Sequence, residues 1–322
     1  MSPSPSQPRA AVPAFTGPEM LAARLAPMLA YFSPPFDSPR HLFEIKWDGT
    51  RCLLFLDNGK IRLQNRRLED ITGRYPELTG LAADLKARTA ILDGELVVLE
   101  DGRPSFPLLQ QREQVADPLK ISLLARRLPA TYVAFDLLLL DDRPRYLLPL
   151  EERRALLEGC LQESPRLVLS RAVPEHGRAF FAQAVAQGFE GAMAKAKDSP
   201  YLIGTRSRYW LKIKPRLTEE CVIIGYTIGK GGRGESFGAL LAASPEGGRL
   251  VYRGRVGSGF SEALLQELTG RLKALEVEAP PLPGVRVRGA RWVRPELRAL
   301  ISYQEKTAGG HFRAPVFVRL LD

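Results

Sequence analysis

The sequence predicts an α+β protein in two domains: an antiparallel sheet with packed helices over the first two hundred residues, then a smaller β domain around one helix. Three observations predict it. From residue 42 to 140, short apolar runs are bounded by the turn dipeptides Asp48-Gly49, Asn58-Gly59, Asp93-Gly94 and Asp101-Gly102, the punctuation of β-hairpins. Apolar positions at helical spacing (Ile71, Leu78, Leu81, Leu85) mark a helix over Ile71 to Ala87, and two more fit Leu150 to Gln162 and Glu175 to Gln187. After Lys214-Pro215 the texture turns glycine-rich and strand-like. At 322 residues the chain exceeds the usual size of a single core, and it has no internal repeat.

Taken in order, the first 18 residues, MSPSPSQPRAAVPAFTGP, are rich in proline, serine and small residues and lack the apolar run of a signal peptide. They read as a disordered leader, residues 1–20. The first domain is expected over 21–217. Its densest apolar stretch, AFDLLLL at 134–140, is far too short to span a bilayer, so no membrane partner is expected. The second domain, 218–322, runs through CVIIGYTIG, KGGRGES, FGALLAA and RLVYRGRVG to a helix from Ser261 to Leu275 and a strand-rich end. Several strands around one helix suit a small barrel such as an OB-fold, which periodicity alone does not separate from other small β domains.

The formal charge of +10 is unevenly placed: residues 1–200 hold 26 Lys and Arg against 25 Asp and Glu, whereas residues 201–322 hold 20 against 11. A concentrated positive region suits a polyanion, bound through phosphate contacts and counterion release. Lys230 and Arg233, in the glycine-rich KGGRGES, are candidates to grip a phosphate backbone together with backbone amides; a flexible hairpin loop with incidental charge is the alternative. Few aromatics interleave these basic residues, which favours duplex backbone over stacked single strands. The three cysteines and three histidines are scattered, so neither a disulfide framework nor a zinc site of recognisable spacing is present, and a reducing, cytoplasmic setting is expected.

The chemistry begins at EIKWDGTRCLLF, where Lys46 stands directly before Asp48-Gly49 with one residue between. Alone, Lys46 is an edge lysine beside a turn. What changes its reading is a set of further stretches in one order: Asn65-Arg66-Arg67, Asp93-Gly94-Glu95, Phe135-Asp136-Leu137, Glu190-Gly191 with Lys195, and Trp210-Leu211-Lys212-Ile213-Lys214 preceded by Tyr201, Gly204 and Arg206. A lysine that attacks phosphorus must be neutral, yet an unperturbed amine, pKa about 10.4, is only about one part in a thousand deprotonated near neutral pH. Desolvation and nearby cations or a metal favour the neutral form. Alternation along a strand puts Lys212 and Lys214 on one face, where two ammonium groups can hold a triphosphate and offset charge in an in-line displacement. Glu190 and Glu95 supply hard oxygen ligands of the kind Mg²⁺ accepts.

In that order the stretches resemble the covalent nucleotidyltransferase superfamily, most closely the ATP-dependent DNA ligases made of only a nucleotidyltransferase domain and an OB domain, like the ligase module of bacterial end-joining ligases. The resemblance spans roughly residues 27–320. It implies an ATP-grasp-like antiparallel sheet followed by an OB-fold barrel. It implies Lys46 as nucleophile and an ATP site of Glu44, Ile45, Arg51, Arg66, Glu95, Phe135, Arg206, Lys212 and Lys214, with Phe135 stacking on adenine and Glu95 on a ribose hydroxyl. Lys195 supports the fourth motif, and Glu190 with Glu95 would take Mg²⁺ (or Mn²⁺). Two motifs depart from the pattern. Asn65 and Arg67 stand where the family more often has Ser and Asn, so only Arg66 is carried over. At the C-terminal end Glu305-Lys306-Thr307, Gly310, Phe312-Arg313 and Pro315-Val316-Phe317 follow the family outline with Lys306 in place of its usual Trp, so the domain is carried over without a catalytic role.

The implied reaction has three steps: AMP is transferred from ATP to Lys46, then to the 5′-phosphate at a nick, and is displaced by the 3′-hydroxyl. ATP is expected rather than NAD because the forty-odd residues before Lys46 hold no nicotinamide-recognition domain. Nicked or broken duplex DNA is the expected partner, with a Ku-like end-binding protein as a further candidate, a monomeric chain and a nucleoid-associated location. The alternatives are an RNA ligase or capping-type nucleotidyltransferase, and a catalytically inactive protein that binds DNA ends or nicks.

Overall fold

The structure, a computed structural model, describes residues 15–229, 236–307 and 309–321. They divide into two compact units between Lys214 and Pro215, where a proline without an N–H ends the ladder of the strand before it.

The strands of the first unit are β1 (Leu29–Phe32), β2 (Ser38–Ile45), β3 (Thr50–Asp57), β4 (Lys60–Asn65), β5 (Thr89–Glu100), β6 (Arg103–Pro104), β7 (Ala130–Leu140), β8 (Arg143–Pro144), β9 (Leu167–Leu169), β10 (Ala172–Glu175), β11 (Ala192–Ala196) and β12 (Arg206–Ile213). They form two sheets, ordered β1-β12-β11-β2-β10 and β4-β3-β5-β7-β8, with β6 on β5 and β9 on β7. Pairing is antiparallel except at β1–β12 and β7–β9. One core lies between the sheets, where Leu53, Phe55, Ile91 and Phe135 of one meet Ala30 and Trp210 of the other. A second core covers the far face of the β3–β5 sheet: Cys52, Leu54, Leu92, Leu96 and Tyr132 pack with Leu78, Leu81 and Leu157. Strand β3 is thus buried on both faces, which is why CLLFL is an unbroken apolar run rather than an alternating one.

The helices of this unit are α1 (Gly17–Ala22), α2 (Phe106–Glu113), α3 (Pro118–Arg127), α4 (Leu150–Cys160) and α5 (Gly177–Ala186). Helix α5 covers the far face of the other sheet, where Phe180 and Phe181 meet Phe43, Ala194 and Ile213. Helix α1 begins inside the expected leader: the Thr16 amide donates to Glu19 Oε2 at 2.7 Å, and Met20 is buried in the inter-sheet core. The leader expected over 1–20 therefore gives way to ordered chain by Gly17, and its residues 1–14 lie outside the described ones.

Three local expectations are corrected. Asp48-Gly49 is no hairpin, because β2 and β3 belong to different sheets and the turn carries the chain from one to the other. Asp93-Gly94 lies inside β5, where a Cβ on Gly94 would meet the Tyr132 ring at 2.5 Å. The helix expected over Ile71 to Ala87 is two 3₁₀ segments, Thr72–Arg74 and Pro76–Asp84. Gly73, Pro76 and Gly80 weaken an α-helix there, while Leu78 and Leu81, three apart, suit the tighter turn. The expected apolar positions are nonetheless all buried in the core.

The second unit contains β13 (Leu217–Ile228), β14 (Phe237–Glu246), β15 (Arg249–Val256), α6 (Glu262–Ala274), β16 (Glu276–Val277), β17 (Ala290–Val293), β18 (Arg298–Tyr303) and β19 (Val316–Leu321). Strand β13 pairs with β14 along one edge, and along the other with β18 and then β17. Leu265, Leu268 and Leu272 of α6 close the core formed by Ile223, Phe237, Leu240 and Phe317. Lys230 and Arg233 lie outside the described residues.

Candidate active site

Beside the apolar core between them, the inner faces of the two sheets also carry a cluster of charge. Lys46 follows the last residue of β2, and its amide donates to Gly191 O at 3.0 Å. Two neighbouring glycines allow further close backbone approaches. A Cβ on Gly49 would meet Leu96 O, and one on Gly191, at φ +144°, would meet Ile213 O, each at 2.1 Å. The Lys46 ammonium pairs with Glu190, which also pairs with Lys214. Asp48 lies in the same field: burial raises its carboxyl pKa and the Glu190 charge adds to this, against the pull of Lys46 and Lys214.

Alternation along β12 is as expected. Leu211 and Ile213 face the α5 core, Trp210 faces the inter-sheet core, and Lys212 lies over the Phe32 ring at 3.9 Å. On the opposite sheet Arg51 makes a two-pronged contact with Asp93, both bonds 2.5 Å. Asp93 also accepts from the Tyr201 hydroxyl at 2.6 Å. Burial alone would lower the Arg51 pKa; the Asp93 carboxylate outweighs it and raises the value. Glu95, paired in register with Arg51, keeps partial solvent access, yet burial pushes its carboxyl up to about 7 against the opposing charges of Arg51 and Lys46.

Phe135 owes its position to a bulge. Asp93 pairs with Asp136 and Gly94 with Ala134, so Phe135 is the extra residue, and such insertions re-aim a side chain beside a site. Its ring lies under two cations, Arg51 at 4.7 Å and the Lys195 ammonium at 4.3 Å. Lys195 pairs with the buried carboxylate of Glu44, which Arg154 also contacts at 3.2 Å. Burial lowers the Lys195 pKa despite the opposing pull of Glu44.

The structure therefore brings together Glu44, Lys46, Arg51, Glu95, Phe135, Glu190, Lys195, Lys212 and Lys214, with Ile45 at the end of β2. It does not bring in Arg66 or Arg206. Arg66 is exposed in the turn after β4, and Arg206 donates to Ala30 O at 2.6 Å at the start of β12. In that turn Asn65 Oδ1 accepts from the Arg67 and Glu69 amides at 2.9 and 3.0 Å, a local use for the residue that departs from the family motif.

Sequence reasoning passed over Asp93 as a site residue, and with it the pair Arg153 and Arg154. Arg153 was detectable: Leu150, Arg153, Leu157 and Cys160 share one helical face, and a charge on an apolar face needs a buried partner. Among the described residues no group of three or more His, Cys, Asp or Glu could by itself hold a metal ion. The arrangement fits a cation that takes one or two carboxylates here and completes its shell with phosphate oxygens and water, as Mg²⁺ does.

Comparison with known proteins gives this geometry a context. A family model for the ATP dependent DNA ligase domain matches residues 19–214, and one for the ATP dependent DNA ligase C terminal region matches residues 233–322. The multifunctional non-homologous end joining protein LigD of Mycolicibacterium smegmatis is 38% identical over 297 residues, covering 90% of this chain and 37% of that protein. The chain thus spans little more than a third of that relative's length. Among solved structures, the ligase domain of M. tuberculosis LigD is 35% identical with a TM-score of 0.55, over 92% of this chain and 95% of the other. A mycobacterial DNA ligase D complexed with ATP and MES matches with a TM-score of 0.53 at 35% identity, over the same shares of the two chains.

Proposed function

The chain belongs to the ATP-dependent DNA ligases, a nucleotidyltransferase unit followed by an OB-fold unit, and from that premise we propose that it seals nicks or joined ends in duplex DNA with Lys46 as its nucleophile. The observation that carries the assignment is the meeting of Lys46 and Lys214 on Glu190 at the cleft between the sheets. A nucleotide entering there finds the Phe135 ring for its base, Glu95 for a ribose hydroxyl, and Lys212 with Lys214 for its phosphates.

To react, the Lys46 nitrogen exchanges its contact with Glu190 for the α-phosphorus of ATP. The ammonium first releases one proton to solvent to become the neutral nucleophile; as the nitrogen–phosphorus bond forms and the bond to pyrophosphate breaks, the nitrogen releases a second proton, taken up by solvent or the departing pyrophosphate. Lys214 and Lys212 offset the charge that develops on the phosphates, and prearranged, partly buried cations do this better than water does. Mg²⁺, when bound, adds Lewis-acid neutralisation of the phosphates. Glu190 would hold it, with Asp48 beside. AMP then passes to the 5′-phosphate of the nick and is displaced by the 3′-hydroxyl.

We propose further that the chain acts as a monomer on nicked or broken duplexes, with a Ku-like end-binding partner; the end-joining names of its relatives support the choice of broken DNA ends. Among the described residues no helix is long and apolar enough to cross a membrane.

Incubation with α-labelled ATP followed by denaturing electrophoresis tests the proposal. The wild type takes a covalent label and Lys46→Ala does not; equal labelling of the two removes Lys46 as nucleophile. Nicked DNA against nicked RNA then separates this reading from RNA sealing. Sealing is expected to fall steeply with salt, and activity indifferent to salt would overturn the electrostatic account of duplex binding.

A further inference from the structure

Behind the reacting groups lies a closed circuit of buried charge that the three steps above do not use. On α4, Arg153 donates to both oxygens of Asp136 at 2.7 and 2.9 Å, and also to Leu148 O at 2.5 Å and Ser199 O at 2.7 Å. The next residue, Arg154, contacts Glu44 on β2 at 3.2 Å and donates to Ser170 O at 2.9 Å. Ser170 Oγ in turn accepts from Trp47 Nε1 at 3.1 Å. Lys195 closes the loop by pairing with Glu44 and donating to Phe135 O at 3.3 Å.

We propose that Arg153 and Arg154 are positioning residues that fix the spacing of the two sheets at the nucleotide site and thereby present the Lys46 amine to the α-phosphate. The proposal rests on the reading of Lys46 as nucleophile.

Adjacent residues on an α-helix point about 100° apart, so the two guanidinium groups diverge. Arg153 grips β7 at the residue after Phe135, in one sheet; Arg154 grips β2 two residues before Lys46, in the other. Through Ser170, Arg154 also reaches the residue that follows Lys46, so Lys46 is bracketed from both sides. Helix α4 is anchored to both sheets independently of these contacts: Leu157 and Cys160 pack in the core of the β3–β5 sheet, and the Glu151 amide donates to Lys197 O beyond β11 at 3.1 Å. A buried ion pair gains little net stability over an apolar pair of the same volume, so fixed geometry is the property the circuit adds. A guanidinium serves here because its planar fork satisfies several acceptors at once, which an ammonium on a flexible stem does not.

The full chain is tested on two substrates. Charging with α-labelled ATP requires attack by Lys46, whereas sealing a nicked duplex that already carries a 5′-adenylate does not. Arg154→Lys and Arg153→Lys keep the charge but lose part of the fork. Each is expected to lower kcat/KM for charging by about tenfold, a typical cost of a slightly misplaced nucleophile, and sealing by no more than about twofold. Parallel loss of the two steps, unchanged charging, or failure of both variants to fold by circular dichroism makes the pair a strut of the core and overturns the proposal. A wild type that takes no label overturns the reading of Lys46 instead, so the two failures are distinguishable.

Discussion

Arg253 in the second unit and Lys195 in the first are both buried charges, yet the networks around them end differently. Arg253 donates to Ser244 Oγ at 2.6 Å and Gly310 O at 3.1 Å and pairs with Glu246 at 3.0 Å. Beside it Glu219 collects Lys306 at 2.8 Å and the Tyr303 hydroxyl at 2.9 Å. Burial pushes the Glu219 carboxyl up, but hydrogen bonds from Lys306, Ser244 and Tyr303 outweigh it and leave the pKa below the usual carboxylate range. That network ties β13, β14 and β15 to the chain after β18. In the first unit, burial grades outward: Glu44, Lys195, Arg153 and Asp136 are sealed in. Lys46, Glu190 and Lys214 keep side-chain exposures of 22, 21 and 24%. The Arg253 network reaches solvent too, with Glu219 at 21% and Lys306 at 33%; what sets the first unit apart is that two lysines, Lys46 and Lys214, share one outer carboxylate, Glu190.

Removing a deep member of the graded network should separate the two roles most sharply. Lys195→Ala leaves Glu44 short of a partner and is expected to cost about 3 kcal/mol of unfolding free energy, read by denaturant titration. A loss below that of an exposed pair would mean that Lys195 is not a structural member. Glu190→Gln, at the open end, is expected to slow charging by about 100-fold with little change in the same titration. Equal damage to stability would erase the gradient.

The raised Glu95 carboxyl adds a pH dependence whose sign can be worked out. The folded protein holds this proton up to about pH 7, whereas the unfolded chain releases it near 4.5. Between those values the native state binds more protons, so the Glu95 contribution to stability declines as pH rises through the window. Thermal unfolding from pH 5 to 7 should show that decline in the wild type and a flatter slope in Glu95→Gln; identical slopes would remove Glu95 from the account. The smallest effect belongs to the exposed pair Arg298–Glu220, at 2.6 Å in the second unit. Arg298→Ala should change stability by no more than about 0.5 kcal/mol, and a larger loss would show that surface charge in this unit does more than meet solvent.

Much of the site was legible because its residues act through short, local patterns. Lys214 reaches Glu190 although β12 ends at Ile213, while Lys212 lies over the Phe32 ring, and Asn58-Gly59 and Asp101-Gly102 are genuine two-residue hairpins, with all four residues at positive φ. Asp48-Gly49 and Asp93-Gly94 misled because a turn dipeptide reports backbone freedom, not which strands are neighbours. The former serves a crossing between sheets and the latter the packing of Tyr132. The turn at Asp141-Asp142, also at positive φ, was missed for the converse reason: it connects β7 to β8 without glycine. Long-range charge pairing was the least legible part. Arg154 lies 110 positions from Glu44 in the chain, and no local rule couples them.

The bulge at Phe135 has a companion. Leu92 pairs with Leu137 and Ile91 with Leu139, so Leu138 is a second extra residue in β7. Each extra residue reverses which side of the sheet the following ones occupy, and together they cancel, so β7 leaves in step with β5 although it is out of phase between them. Deleting a single residue within Phe135–Leu138 would remove that cancellation. Every side chain on one flank of the gap would then trade places between the inter-sheet core and the core on the far face, and Phe135 would be removed or turned away from the cleft. The strand's length is thereby as constrained as its composition.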